Sequence, residues 1–172
     1  MTTTIILETD RLRIRQFEEK DFQDIYRLNT DHAVMRYQVA SGKLRTFEEE
    51  AMAFFSVIAE YPKNPDLGGW VVENKENNEF LGVTSLKYVP GQDDLMIGFR
   101  IKENQWGKGY ATELAKSLIQ YAFDRIKVNR IGAITNVDNY PSIRVLEKAG
   151  LKYEKQIKYN DWDMKYYAIE NN

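Results

Sequence analysis

Within thirty residues the chain changes its hydrophobic period, and few architectures accommodate that change. Residues 95–102 are rich in strand formers, whereas Ala111, Leu114, Ala115, Leu118, Ile119, Ala122 and Phe123 recur at i, i+3, i+4, i+7, i+8, i+11 and i+12, one apolar stripe at helical spacing. Between them stands Trp106-Gly107-Lys108-Gly109, a turn with two glycines directly before the helix. The N–H groups of a first helical turn have no partner in the helix, and the helix dipole adds positive potential there. Glycines let a ligand come close to the backbone. The segment therefore predicts phosphate held by main chain. It is not a Walker loop, because Gly109 rather than Ser or Thr follows Lys108, and it lacks the third glycine of a dinucleotide fingerprint. Residues 130–135 read as the next strand, so this strand–helix–strand unit is the one parallel crossover expected.

Around that unit the pattern is antiparallel. Residues 5–7 and 11–15 read as a first strand interrupted at Glu8, Thr9 and Asp10. Phe22, Ile25, Tyr26 and Asn29 mark one helix; Thr46 and Glu49 form a capping box for a second, carrying Phe47, Ala51, Phe54, Phe55 and Ile58, before Pro62. Residues 70–73, 80–88 and 95–102 form a meander broken by the turns NKENN and PGQDD. Residues 142–149 read as a short helix stopped by Gly150, and residues 151–169 as two last strands around 159–161. The expectation is a mixed α/β (α+β) fold, with about seven mostly antiparallel strands and about four helices, forming a single domain over residues 1–172 without linker or repeat.

Composition narrows the function. A 43% hydrophobic and 29% charged chain of 172 residues is neither disordered nor membrane-embedded in type, and no stretch nears the roughly 20 apolar residues that span a bilayer. The N-terminus does not read as a signal peptide. With a formal charge of -2 there is no global positive field for nucleic acid. Absent cysteine excludes disulfides and thiolate chemistry and fits a reducing cytoplasm. His32, the one histidine, supports no metal site and is expected on the surface after the first helix.

Residues 106–111, continued by Thr112 and Glu113, resemble the Gln/Arg-x-x-Gly-x-Gly/Ala pyrophosphate loop of the GNAT superfamily of N-acetyltransferases. Further on, NYPSIRVLEKAGL, residues 139–151, resembles the Asn-x-x-Ser and Leu-Glu-Lys-x-Gly-Phe segment of its subfamily of ribosomal-protein N-terminal acetyltransferases (the RimJ/RimL type). The opening LETDRLRIRQFEEKDF resembles that subfamily's start. The resemblance spans nearly the whole chain. It implies the GNAT fold, a twisted sheet splayed between its fourth and fifth strands with acetyl-CoA in the opening. It implies pantetheine contacts from the backbone of Phe99, Arg100 and Ile101, pyrophosphate contacts from Gly107, Lys108, Gly109, Tyr110, Ala111 and Thr112, and a cofactor contact from the Asn139 carboxamide.

Acyl transfer to an amine needs a neutral nitrogen, a polarised thioester carbonyl and a proton for the departing thiolate. The resemblance implies that an N–H near residues 99–101, freed by a kink at Gly98, polarises the carbonyl. The superfamily's usual tyrosine acid falls on Leu146, which leaves Ser142, near the sulfur, as the candidate acid. The glutamate base of the family's fourth strand falls on Met96; Asp163, in the last strand, and Glu73 are the remaining candidates. Asp93 and Asp94 lie in a turn and receive no role. Tyr37, Trp70, Tyr88 and Trp162 are candidate acceptor-pocket residues, the first two helices shape the acceptor side, and the loop of residues 37–45 is the region least legible in the sequence. The expected acceptor is a protein or peptide N-terminal amine, with two alternatives: a small amine such as a polyamine, amino sugar or amino-acid-like metabolite, or a module that binds acetyl-CoA without turnover. A homodimer through an edge strand is compatible with this fold.

Overall fold

The computed structural model describes residues 3–38, 43–159 and 161–171. Eight strands, β1 (Ile5–Glu8), β2 (Leu12–Arg15), β3 (Gly68–Asn74), β4 (Phe80–Tyr88), β5 (Leu95–Ile101), β6 (Arg130–Asn136), β7 (Lys152–Tyr159) and β8 (Trp162–Glu170), form one sheet in the order β1-β2-β3-β4-β5-β6-β8-β7. Among the described residues there are five α-helices: α1 (Phe22–Thr30), α2 (His32–Met35), α3 (Phe47–Glu60), α4 (Tyr110–Tyr121) and α5 (Tyr140–Lys148). Every neighbouring strand pair is antiparallel except β5–β6, the expected crossover through α4.

Two elements exceed the expected count. The interruption after Glu8 is a full reversal, closed by Thr9 N–H on Leu12 C=O, so one strand becomes the β1–β2 hairpin. After α1 the Asp31 carboxylate accepts from the N–H groups of Ala33 and Val34 and caps the short helix α2. His32 sits at its start, exposed. The capping box at α3 forms as the sequence predicts: Glu49 N–H donates to Thr46 Oγ1 at 3.2 Å, and Thr46 N–H to Glu49 Oε2 at 2.8 Å.

Strand alternation divides the apolar residues between two faces. Trp70, Val72, Leu86, Leu95, Ile97 and Ile101 pack with Leu114, Leu118, Ile143 and Leu146 beneath α4 and α5, whereas Val71 and Val83 pack with Ile25, Leu28 and Phe54 beneath α1–α3. The helical stripe read from the sequence is thus the buried face of α4; Leu114 and Leu118 lose all solvent contact, contributing about 1.5–3 kcal/mol each. Trp70, a candidate for the acceptor pocket, belongs to this core instead: it is 0% exposed and meets Tyr121 edge-to-face.

The sheet is joined across β5–β6 by only two residue pairs, Leu95↔Ile131 and Met96↔Gly132. Beyond them the strands diverge, which is the expected splay; the extra hairpin strand makes these the fifth and sixth strands. At the joint a Cβ on Gly132 would stand 2.6 Å from both Met96 Sδ and Tyr166 Oη, so the site accepts no side chain. Tyr166 donates a short hydrogen bond to Asp94, which also accepts from Arg130 Nε at 2.9 Å. Asp94, expected to be a solvated turn residue, therefore helps fasten the joint.

Candidate active site

The parity of β5 follows from one bond. Lys102 N–H donates to Leu81 C=O, so by alternation Arg100, Gly98 and Met96 direct their backbone groups to β4, while Ile97, Phe99 and Ile101 direct theirs into the gap left by β6. Two contacts agree with this: Trp106 Nε1 donates to Ile101 C=O at 2.7 Å, and the Arg100 carbonyl points at β4, 2.0 Å from where a Cβ on Gly82 would lie. Among the three residues expected to offer backbone to a pantetheine arm, the geometry separates Phe99 and Ile101, which face the gap, from Arg100, whose backbone is turned to β4. Gly98 does not supply the expected kink, because the β4–β5 ladder runs through Ser85↔Gly98 without a register shift. Its need for glycine is local, since a Cβ there would lie 2.9 Å from Ser85 Oγ.

At the open end of β5 the chain turns through Gly107 (φ 75°) and Gly109 (φ 83°), both left-handed, into α4. The residue before α4 is Gly109, which has no side chain to cap it, and the first bond of the helix is Glu113 N–H to Gly109 C=O at 3.1 Å. The N–H groups of Tyr110, Ala111 and Thr112 are left without helix partners. The neighbouring helix is built differently. Asn139 Oδ1 accepts from Ser142 N–H at 3.3 Å and caps α5, with Pro141 in its first turn. Of the two helix starts at the C-terminal ends of the diverging strands, only that of α4 is open to an anion.

The α4 turn is clamped from the N-terminal hairpin. Arg11 donates from Nε to Glu113 Oε2 at 2.7 Å and from Nη1 to Lys108 C=O at 2.9 Å, and its guanidinium lies 4.6 Å above the Tyr110 ring. The second Glu113 oxygen accepts from Thr9 Oγ1 at 2.6 Å and Arg11 N–H at 3.1 Å. Burial pushes the Glu113 carboxyl up, but the hydrogen bonds from Thr9 and Arg11 outweigh it and hold the group below its ordinary value. Lys108 Nζ turns back to Gln105 Oε1 at 2.8 Å, so Lys108 offers the turn its backbone rather than its charge. Sequence reasoning missed Arg11 and Thr9 as parts of the site. The signal was present in the opening segment, which matched the family without a stated reason.

The expected acid and base residues fare differently. Ser142 stands in the first turn of α5, half-buried, and its hydroxyl makes no hydrogen bond among the described residues. The cap expected of it as a structural residue belongs to Asn139, whose Nδ2 stays available. Leu146 is a core residue. Met96 is buried against Tyr166 and Ala168. Glu73 does not face the cleft as a free carboxylate: it accepts from Arg15 Nε at 2.9 Å and Arg13 Nη1 at 3.2 Å, in a buried network that includes the bidentate Arg15–Asp21 pair. Asp163 lies exposed at the start of β8, 2.9 Å from Lys158 Nζ, and hydrogen bonds from Lys158 and Gln156 hold its carboxyl below the ordinary range. Tyr88 is exposed, Tyr37 and Trp162 half-buried. Of the loop at 37–45, residues 39–42 lie outside the described residues.

No helix among the described residues is long and apolar enough to cross a membrane. The acetyltransferase (GNAT) domain family matches residues 11–152. The chain is 34% identical over 170 residues to the uncharacterized N-acetyltransferase YnaD of Bacillus subtilis, covering 95% of each. Its fold superposes with a TM-score of 0.80 on RimL, a ribosomal L7/L12 α-N-protein acetyltransferase in complex with coenzyme A, at 20% identity over 96% of this chain and 97% of that one. It superposes with a TM-score of 0.76 on spermidine N-acetyltransferase from Vibrio cholerae in complex with CoA and spermine, at 20% identity over 94% and 96%. A split sheet, an uncapped glycine-led helix beside the split and these matches agree: the chain belongs to the GNAT family and is an acetyltransferase that transfers an acyl group to an amine.

Proposed function

We propose that the chain acetylates the α-amine of a protein or peptide N-terminus, with acetyl-CoA as donor, as a RimJ/RimL-type enzyme of the cytoplasm. The observation that carries the choice of amine is the lack, among the described residues, of a free carboxylate at the joint of the sheet, where Asp94 is held by Arg130 and Tyr166. Met96 stands where the family's base would be, and Glu73 and Asp163 are committed to arginines and to Lys158. An amine with a pKa of about 8 is partly neutral at physiological pH without a base, whereas a lysine near 10.4 is almost wholly charged.

Acetyl-CoA, when bound, supplies the activated acyl group. In this reading the N–H groups of residues 107–112 bind the pyrophosphate, and the gap-facing groups of Phe99 with the Ile101 N–H, whose carbonyl is taken by Trp106, orient the pantetheine amides as a further strand would. Arg100 contributes no backbone contact. The Asn139 carboxamide keeps Nδ2 for the cofactor while Oδ1 caps α5. An N–H of the gap-facing edge polarises the thioester carbonyl. Ser142 Oγ, without a hydrogen bond among the described residues, relays to the departing thiolate the proton that the attacking nitrogen loses.

The test is thiol release from acetyl-CoA with a panel of N-terminal peptides and small amines, against a control without acceptor. Peptide-dependent release supports the proposal, and Ser142→Ala should then lower kcat at least tenfold with unchanged acetyl-CoA affinity. Release with polyamines or amino sugars alone would move the assignment to a small-molecule acceptor. Tight acetyl-CoA binding with no turnover would make the chain a binding module.

A further inference from the structure

The even-numbered side chains of β5 point away from α4, to the face covered by α1–α3. On that face the pairs Val83↔Arg100 and Lys87↔Met96 set Arg100 on β5, beside the gap, and Lys87 on β4, four residues along from Arg100's partner Val83. Arg45 and Glu50, before and within the first turns of α3, complete the group; Arg45 Nη1 lies 3.5 Å from Glu50 Oε2. Glu50 is already engaged on its other side, where Oε1 accepts from Asn29 Nδ2 at 2.5 Å.

This leaves cations in excess. Neither Arg100 nor Lys87 has a carboxylate within ion-pair distance among the described residues, and Arg100 Nε is buried without any hydrogen-bond partner. Asn29 Oδ1, beside Glu50, is a second buried polar atom with none. A buried guanidinium nitrogen left unpaired is costly, and such sites persist where a ligand completes them. Lys87 is an exposed residue. Partial burial, and then the charges of Arg100 and Arg45, hold its ammonium below the ordinary lysine value. Arg45 and Arg100 thus act on one occupied carboxylate, with Lys87 near both cations, on the side opposite the proposed cofactor loop.

We propose that Arg100, Lys87 and Arg45 form a subsite for a carboxylate carried by the acceptor, so that the enzyme selects anionic amines over polycations. The proposal rests on the acetyl transfer to an α-amine argued above and adds what lies next to that amine. Two sources supply the same chemistry: an acidic side chain at the first or second position of a peptide, or the α-carboxylate of an amino-acid-like acceptor. The same positive field disfavours an ammonium over an amine, which eases deprotonation where no side-chain base stands.

The experiment measures kcat/KM with acetyl-CoA for matched pairs: peptides beginning Asp or Asn, the same with Asp or Asn second, amino acids and their amides, and spermidine. The expected result is an advantage of about tenfold, or about 1.4 kcal/mol, for the acid over its amide in one series, which identifies the source. The advantage should shrink with added salt and fall by about threefold or more in Lys87→Gln and Arg45→Gln, with acetyl-CoA affinity unchanged as the control of folding. Equal rates within every pair, a preference for spermidine, or an unchanged ratio in both variants overturns the subsite while leaving the transferase reading intact. No turnover with any acceptor overturns that reading and the subsite with it.

Discussion

Replacing Arg11 by Met should weaken cofactor binding without touching the chemistry. Arg11 reaches the cofactor turn only through Glu113, the Lys108 carbonyl and the Tyr110 ring. Its side chain is 46% exposed, so the ion pair is screened and contributes about 0.2–1 kcal/mol; the stacked guanidinium adds about 0.5–1 kcal/mol, and the carbonyl bond about as much. About 1–3 kcal/mol of loop order is then lost. If the bound turn must adopt the clamped form, affinity falls by about 5–150-fold. Titration of coenzyme A into wild type, Arg11→Met, Glu113→Gln and the double variant tests this. The clamp predicts that the loss in the double variant falls short of the sum of the single ones, since both remove the Arg11–Glu113 pair. The KM for acetyl-CoA should rise while kcat holds within about twofold. Unchanged coenzyme A affinity, or losses that simply add and track a fall in Tm, would refute the clamp.

The two loop glycines should separate strain from contact. Gly109→Ala places a Cβ at positive φ and 3.4 Å from Arg11 Nη2, whereas Gly107→Ala is strained but meets nothing within 4 Å. Coenzyme A titration should show the larger loss for Gly109, with about 1–2 kcal/mol from the backbone in each. A pH series should expose Glu113: its folded pKa is depressed, so its contribution is fully present above its ordinary value of 4.5 and lost as pH falls below that, and coenzyme A binding should weaken there less in Glu113→Gln. Arg15→Met leaves Asp21 buried without its counter-ion and Glu73 with Arg13 alone, and should cost about 3–5 kcal/mol in urea unfolding. Asp163→Asn should leave the pH profile of kcat unchanged if the carboxylate paired with Lys158 is no base; a loss concentrated at acidic pH would restore it to that role.

What the sequence disclosed was what neighbouring residues decide among themselves. The α4 stripe, the α3 capping box and the glycine turn are complete within one or two helical turns, and each stands where periodicity set it. The β1–β2 reversal was hidden because alternation reads the same through an interruption as through a hairpin; the Thr9 and Arg11 contacts to Glu113, more than a hundred residues away, hold it. Glu73 and Asp163 looked free because their partners, Arg15 and Lys158, are chosen by strand register. The Arg100 side chain was overlooked for the same reason: which way a residue of β5 faces depends on one bond to Leu81, and no local pattern contains it.

That bond has a wider consequence for inheritance. In the reading proposed above, β5 is one short strand put to three uses: odd side chains build the interior, its free edge is kept for the donor, and Arg100 looks toward the acceptor. Because the edge is main chain, it is nearly indifferent to which residues a lineage carries. Mutation at position 100 can therefore explore new acceptors while the donor half of the reaction is passed on unaltered, whereas Met96 is held by Tyr166 and Ala168 and Gly98 by Ser85; a change that shifted the register by one residue would exchange all three uses at once.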